Sequence, residues 1–127
     1  MTSMPPAVLL VDDNEDTLEM YALGLEFAGY RPLLACDADS ALSQLRNEHP
    51  DAVVTDLHLV GGRSGWDLID ELKKDPLTRQ IPVVVLTGNI DPSLAADAER
   101  AGCVPVLKPC LPEELAQVLR RLLPAVM

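Results

Sequence analysis

A chain of 127 residues has room for one domain with its own core, but not for a second domain of ordinary size. Ten basic residues against twenty acidic ones give a formal net charge of −10. That balance speaks against direct contact with nucleic acid or an anionic membrane, and suits basic partners or carboxylates gathered about a cation.

Hydrophobic residues make up 48% of the chain and aromatic ones only 3%, so the core has to be aliphatic. Apolar runs are of strand length, far short of the ~20 residues that cross a bilayer. Met1 to Pro6 lacks a basic stretch leading into a long apolar one, so no signal peptide is expected. Cys36, Cys103 and Cys110 show no metal-type spacing and read as reduced, small hydrophobic residues of a cytoplasmic protein.

In chain order, Ala7 to Val11 is the first apolar run and reads as a strand. Asn14 to Ala28 follows as a helix, with Leu18, Ala22 and Leu25 on one face and Gly29 as its stop. Arg31 to Cys36 is a weaker strand, and Ser40 to Asn47 a helix that ends before Pro50. Ala52 to Thr55 is the third strand, and Trp66 to Lys74 the third helix. Pro82 to Leu86 is the fourth strand, followed by a helix from Pro92 to Ala101 that stops at Gly102. Val104 to Leu107 is the fifth strand. Glu113 to Leu123 is the last helix, with a 3.6-residue apolar stripe, acids at its start and Arg120 and Arg121 near its end.

Short β-branched runs without alternation describe strands buried on both faces, as in a parallel sheet. Five of them alternating with five helices imply an α/β three-layer sandwich with right-handed crossovers. No repeat or linker is visible and the residues after Leu123 are few, so a single domain over 1–127 with a core of about 7–123 is expected.

The polar residues at the strand ends carry the chemistry. Asp12-Asp13 come after the first strand, Asp56 after the third, Thr87 after the fourth and Lys108-Pro109 after the fifth. Ligands of an open parallel sheet bind outside the carboxyl ends of its strands. Carboxylates drawn together there repel one another unless a cation separates them, and hard oxygen donors suit Mg²⁺. A carboxylate beside Mg²⁺ is a competent nucleophile toward phosphorus, while a Lys and a hydroxyl offset charge on phosphoryl oxygens. Each residue also has a plain reading: Asp13 or Asn14 as a helix cap, Thr87 as a turn residue, Lys108 as a surface residue. The set of them, each at a strand end, favours a joint site.

These anchors resemble the response regulator receiver domain of two-component signalling. They are Val8 to Asn14, Pro50 to Leu57, Ile81 to Gly88 and Leu107-Lys108-Pro109, and the resemblance runs from Ala7 to about Leu123. It implies a doubly wound, flavodoxin-like five-stranded parallel sheet in the order 2-1-3-4-5. It implies Asp56 as the phospho-acceptor, with Asp12, Asp13, Asp56 and the backbone carbonyl of His58 as Mg²⁺ ligands, Asp13 the expected direct one. Thr87 matches the hydroxyl that moves toward the phosphoryl group, and Lys108 the lysine of the family, usually followed by a cis bond to proline. A histidine kinase or histidine phosphotransfer protein would be the donor and a downstream protein the target. No nucleic acid and no membrane are expected as direct partners, and a homodimer is allowed. Catalysis is expected only of the chain's own phosphoryl transfer and dephosphorylation.

The chain departs from the family pattern at Pro105, where Tyr or Phe is frequent, and at Cys110, where Phe is common. It also departs in the loop Leu59 to Gly65, where Val60 stands at a frequent proline position and two glycines imply a mobile turn or positive backbone angles. Pro105 also suits an edge strand. His58 and Asn89 fall where the family adjusts phosphate lifetime; His58 also reads as an ordinary solvent-facing residue. His49 reads as surface, and Trp66 as packing at the start of the third helix. The alternative function is a receiver-fold interaction module that works without phosphorylation, for which Pro105 is the support. A small phosphatase or phosphotransferase is disfavoured by the absence of a capping domain or Asp-x-Asp loop.

Overall fold

The computed structural model describes residues 5–59 and 61–123. Expectations that concern Met1 to Met4, Val60 and the residues after Leu123 lie outside them.

Five strands and five helices alternate strictly: β1 Ala7–Val11, α1 Glu15–Phe27, β2 Arg31–Ala35, α2 Ala38–Glu48, β3 Ala52–Asp56, α3 Gly65–Lys74, β4 Val83–Thr87, α4 Pro92–Ala101, β5 Cys103–Leu107 and α5 Pro112–Leu122. All strand pairings are parallel, as the apolar runs predict, and the order is β2-β1-β3-β4-β5, as the family resemblance implies.

The unbroken apolar runs are explained by burial on both faces. Val8, Leu10, Ala52, Val54, Val84 and Leu86 pack with α1 and α5. Their neighbours Leu9, Val11, Val53, Val83 and Val85 pack with α2, α3 and α4 on the other side. A β-strand sends successive side chains to opposite faces, so each central strand needs apolar residues at every position. The outer strands β2 and β5 are only partly buried, and Pro105 sits on one of them, where a missing ladder N–H is tolerated.

Helix starts are set by local side chains. Asn14 accepts from the Thr17 N–H, Asp37 from Ser40 and Asp91 from Leu94. Ser64 and Asp67 form a reciprocal capping box at α3. Gly102 ends α4 at a φ of 71°, a conformation that costs glycine little. His49 is exposed as expected, and takes the left-handed conformation at the end of α2. Trp66 is partly buried against the α2–α4 side of the core. Gly61 and Gly62 both have positive φ, as their pairing predicts.

The cysteine reading needs one correction. Cys103 and Cys110 are buried and free, but Cys36 is free and exposed, one residue past the end of the partly buried outer strand β2.

Candidate functional site

The sheet register assembles the site. Val11 lies opposite Thr55, so the next residues, Asp12 and Asp56, stand side by side at the carboxyl end of the sheet. This is where the strand order reverses: the chain leaves β1 for β2 on one side and later returns to β3 on the other. Thr87 is the last residue of β4, and the Lys108 N–H donates to its carbonyl at 2.7 Å, carrying the β4–β5 ladder one residue further.

Lys108 follows β5, two strands away from Asp56. At a strand spacing near 4.8 Å that gap is roughly 10 Å, which only a long side chain closes. The Lys108 Nζ does so, meeting Asp56 Oδ2 at 2.6 Å. Asp56 Oδ1 accepts from the His58 backbone N–H at 3.1 Å, and the Thr55 hydroxyl donates to the Asp56 carbonyl at 2.8 Å. The Asp56 carboxylate is thus held at both oxygens. Its side chain keeps 12% of its surface open and that of Lys108 keeps 33%. The peptide bond from Lys108 to Pro109 is cis.

Asp12 is buried, and its Oδ1 accepts from the Asn14 N–H at 2.9 Å. Burial pushes its carboxyl above the usual range; the Asn14 hydrogen bond and Lys108 pull it down, while the charges of Asp56 and Asp13 push it up. Asp13 is exposed, and capping of α1 falls to Asn14. The Thr87 hydroxyl is buried and donates to the Asn89 carbonyl at 3.1 Å, within its own turn. The His58 side chain is exposed, in keeping with a solvent-facing loop residue, while its backbone holds Asp56.

Hard oxygen donors on Asp12, Asp13 and Asp56, with like charges felt at the buried Asp12, fit a divalent cation. Among the described residues no three His, Cys, Asp or Glu side chains gather into a ready-made cage. Mg²⁺ makes no such demand, because it is bound through one or two carboxylates and keeps several waters.

Two contributors were not visible as site residues in the sequence. Gly65 opens α3 directly against the end of β3: its N–H donates to the Leu57 carbonyl at 2.9 Å, and a Cβ there would lie 2.3 Å from the Asp56 carbonyl oxygen. Tyr21 of α1 is buried and donates its hydroxyl to the Cys110 carbonyl at 2.6 Å. Burial pushes that phenol up to about 12, with smaller upward pushes from Cys110, Asp12 and Glu114.

Residues 8–120 match the response regulator receiver domain. The chain belongs to that family. It is 36% identical over 126 residues to the phosphate regulon transcriptional regulatory protein PhoB of Escherichia coli strain K12, across 95% of this chain and 55% of that protein. The chemotaxis response regulator CheY4 of Vibrio cholerae superposes with a TM-score of 0.86 at 25% identity, covering 94% of this chain and 99% of that one. The signal receiver domain of a signal transduction histidine kinase from Syntrophus aciditrophicus superposes with a TM-score of 0.81 at 29% identity, covering 92% and 89%. The chain spans about half the length of the curated PhoB relatives it matches. Receiver domains act in phosphorylation-dependent two-component signalling, and the five parallel strands in the order 2-1-3-4-5 are the fold they share. Among the described residues no helix is long and apolar enough to cross a membrane.

Proposed function

We propose that this receiver domain takes a phosphoryl group onto Asp56 from the phosphohistidine of a histidine kinase or a histidine phosphotransfer protein. The observation that carries the reading is the 2.6 Å pairing of Lys108 with Asp56, made across the width of β4 at the mouth of the sheet. A lysine bound to a carboxylate over that distance is poised for a charge the carboxylate will acquire.

In the step, a carboxylate oxygen of Asp56 attacks phosphorus. The O–P bond of an acyl phosphate forms, the P–N bond to the donor imidazole breaks, and the electron pair leaves with the imidazole nitrogen. The His58 N–H fixes the orientation of the carboxylate, and Lys108 offsets charge on the incoming phosphoryl oxygens. Asp12, Asp13, Asp56 and the backbone carbonyl of His58 would hold Mg²⁺, which when bound neutralises phosphoryl charge during transfer. Thr87 donates to a phosphoryl oxygen after exchanging its bond to the Asn89 carbonyl for one to the phosphate, and that exchange biases the face formed by α4, β5 and α5. Hydrolysis of the acyl phosphate resets the domain, so catalysis is confined to the chain's own phosphorylation and dephosphorylation. The domain works in the cytoplasm, and its signal leaves through protein contacts with a downstream target rather than through direct binding of nucleic acid.

The test is Mg²⁺-dependent gain of one phosphoryl group, read by intact mass, from acetyl phosphate or a phosphorylated kinase. Wild type gains it and Asp56→Asn does not. Equal modification of both, or none of wild type, refutes the reading.

A further inference from the structure

The segment after Lys108 is gripped by α1 at two points one helical turn apart. Tyr21 donates its hydroxyl to the carbonyl of Cys110, buried and at 2.6 Å. Gly24, on the same face, lies against Pro112 so closely that an added Cβ would come within 2.2 Å of the proline Cβ. Tyr21, Leu25, Cys110, Leu115 and Ala116 belong to one buried cluster, so these contacts are part of the core that joins α1 to α5. Lys108 itself is fixed by its backbone N–H on Thr87 and by its ammonium on Asp56. Cys110 is a small residue, and the ring that reaches its backbone comes from Tyr21.

We propose that Tyr21 and Gly24 form a clamp on the Lys108–Pro112 turn, with Tyr21 a positioning residue that holds the lysine in register with the acceptor carboxylate. Three bonds set the path: Tyr21 hydroxyl to Cys110 carbonyl, Lys108 N–H to Thr87 carbonyl, and Lys108 ammonium to Asp56. The first ties the turn to α1, the second to β4, and the third delivers the charge. Removing the first leaves the turn without its hydrogen bond to α1, held on that side by packing at Gly24 and Pro112 alone. The lysine then samples positions off Asp56, and misplacement by about 1 Å is costly where a charge must meet a developing one. The proposal rests on Asp56 being the phospho-acceptor.

The experiment is a double-mutant cycle read as the rate constant for acyl phosphate formation from acetyl phosphate with Mg²⁺, followed for hours in the slow variants. Tyr21→Phe keeps the ring and loses only the hydroxyl; it slows wild type roughly 3- to 10-fold and has no further effect in a Lys108→Ala background. Gly24→Ala disturbs the second contact with the hydroxyl intact, and shows the same dependence on Lys108, so the cycle stands even where one variant folds poorly. A structural role alone would slow the Lys108→Ala protein by the same factor as wild type, and that result overturns the proposal, as does a Tyr21→Phe rate equal to wild type. Absence of phosphorylation in wild type itself refutes the function at Asp56 and is told apart by that control.

Discussion

Gly65→Ala measures how tightly the start of α3 is seated on the acceptor strand. An ideal Cβ at residue 65 lies 2.3 Å from the Asp56 carbonyl oxygen, 2.8 Å from Leu57 Cα and 3.1 Å from the Asp56 carbonyl carbon. All three are backbone atoms, so no side chain can rotate aside. Ordinary contact begins at 3.4 Å, and the helix start and strand end have to separate by about 1 Å to reach it. Overpacking of this kind costs about 1–3 kcal/mol, against a gain of at most about 1 kcal/mol from replacing glycine in a helix. A net loss of about 1–2 kcal/mol lowers Tm by roughly 3–10 °C for a chain of this length. Because the strain falls on the peptide that carries Asp56, acyl phosphate formation drops on the order of 10-fold or more beyond any loss of folded protein. Thermal unfolding by circular dichroism and intact-mass kinetics read the two effects. Gly88→Ala is the control, since a Cβ there meets nothing within 4 Å and leaves Tm within about 1 °C. A Gly65→Ala protein with wild-type Tm and wild-type kinetics refutes the close approach.

Lys108→Met is expected to lower the rate of acyl phosphate formation by on the order of 10² while leaving a folded protein, as measured by intact mass beside a thermal melt. Asp12→Asn keeps the acceptor for the Asn14 N–H and removes a buried charge that Asp56 and Asp13 oppose; without divalent cation it raises stability by on the order of 1 kcal/mol in urea unfolding, and it slows phosphorylation. An unchanged or lower urea midpoint counts against crowding of charge at the site. Tyr21 gives a pH signature. Its folded value of about 12 lies above the ordinary 10.0, so its contribution is fully present below pH 10 and is lost as pH rises through 12. The stability advantage of wild type over Tyr21→Phe is therefore expected to shrink by about 2 kcal/mol between pH 10 and 12. A pH-independent difference would show that the hydroxyl is not buried.

Much of this molecule is written in the order of its residues. Runs such as Val83 to Leu86 announce strands covered on both sides, and the polar residues placed straight after them mark the functional edge. Helix limits come from local chemistry as well: α4 begins at Pro92 and stops at Gly102 as predicted, since a proline at the first turn and a glycine beyond the last act within a few residues of themselves. Pro105 reads correctly as an edge residue once β5 is the last strand of the sheet. What local pattern does not contain is distance between segments far apart in the chain. Tyr21 and Cys110 are separated by 89 residues, and nothing in either neighbourhood signals that a hydroxyl and a carbonyl will meet. Gly65 looks like any glycine before a helix until the strand end beneath it is in place. Cys36 follows a weak outer strand that pairs with β1 alone and ends at Ala35, and it emerges exposed. Residue order was enough for the elements, their burial and the edge where the chemistry lies, because periodicity and strand-end polarity are local. Packing in three dimensions was needed to show that Lys108 already holds Asp56, that the Thr87 hydroxyl is still engaged in its own turn, and that Tyr21 of α1 bonds the turn after the lysine, because such contacts depend on a register that no single segment specifies.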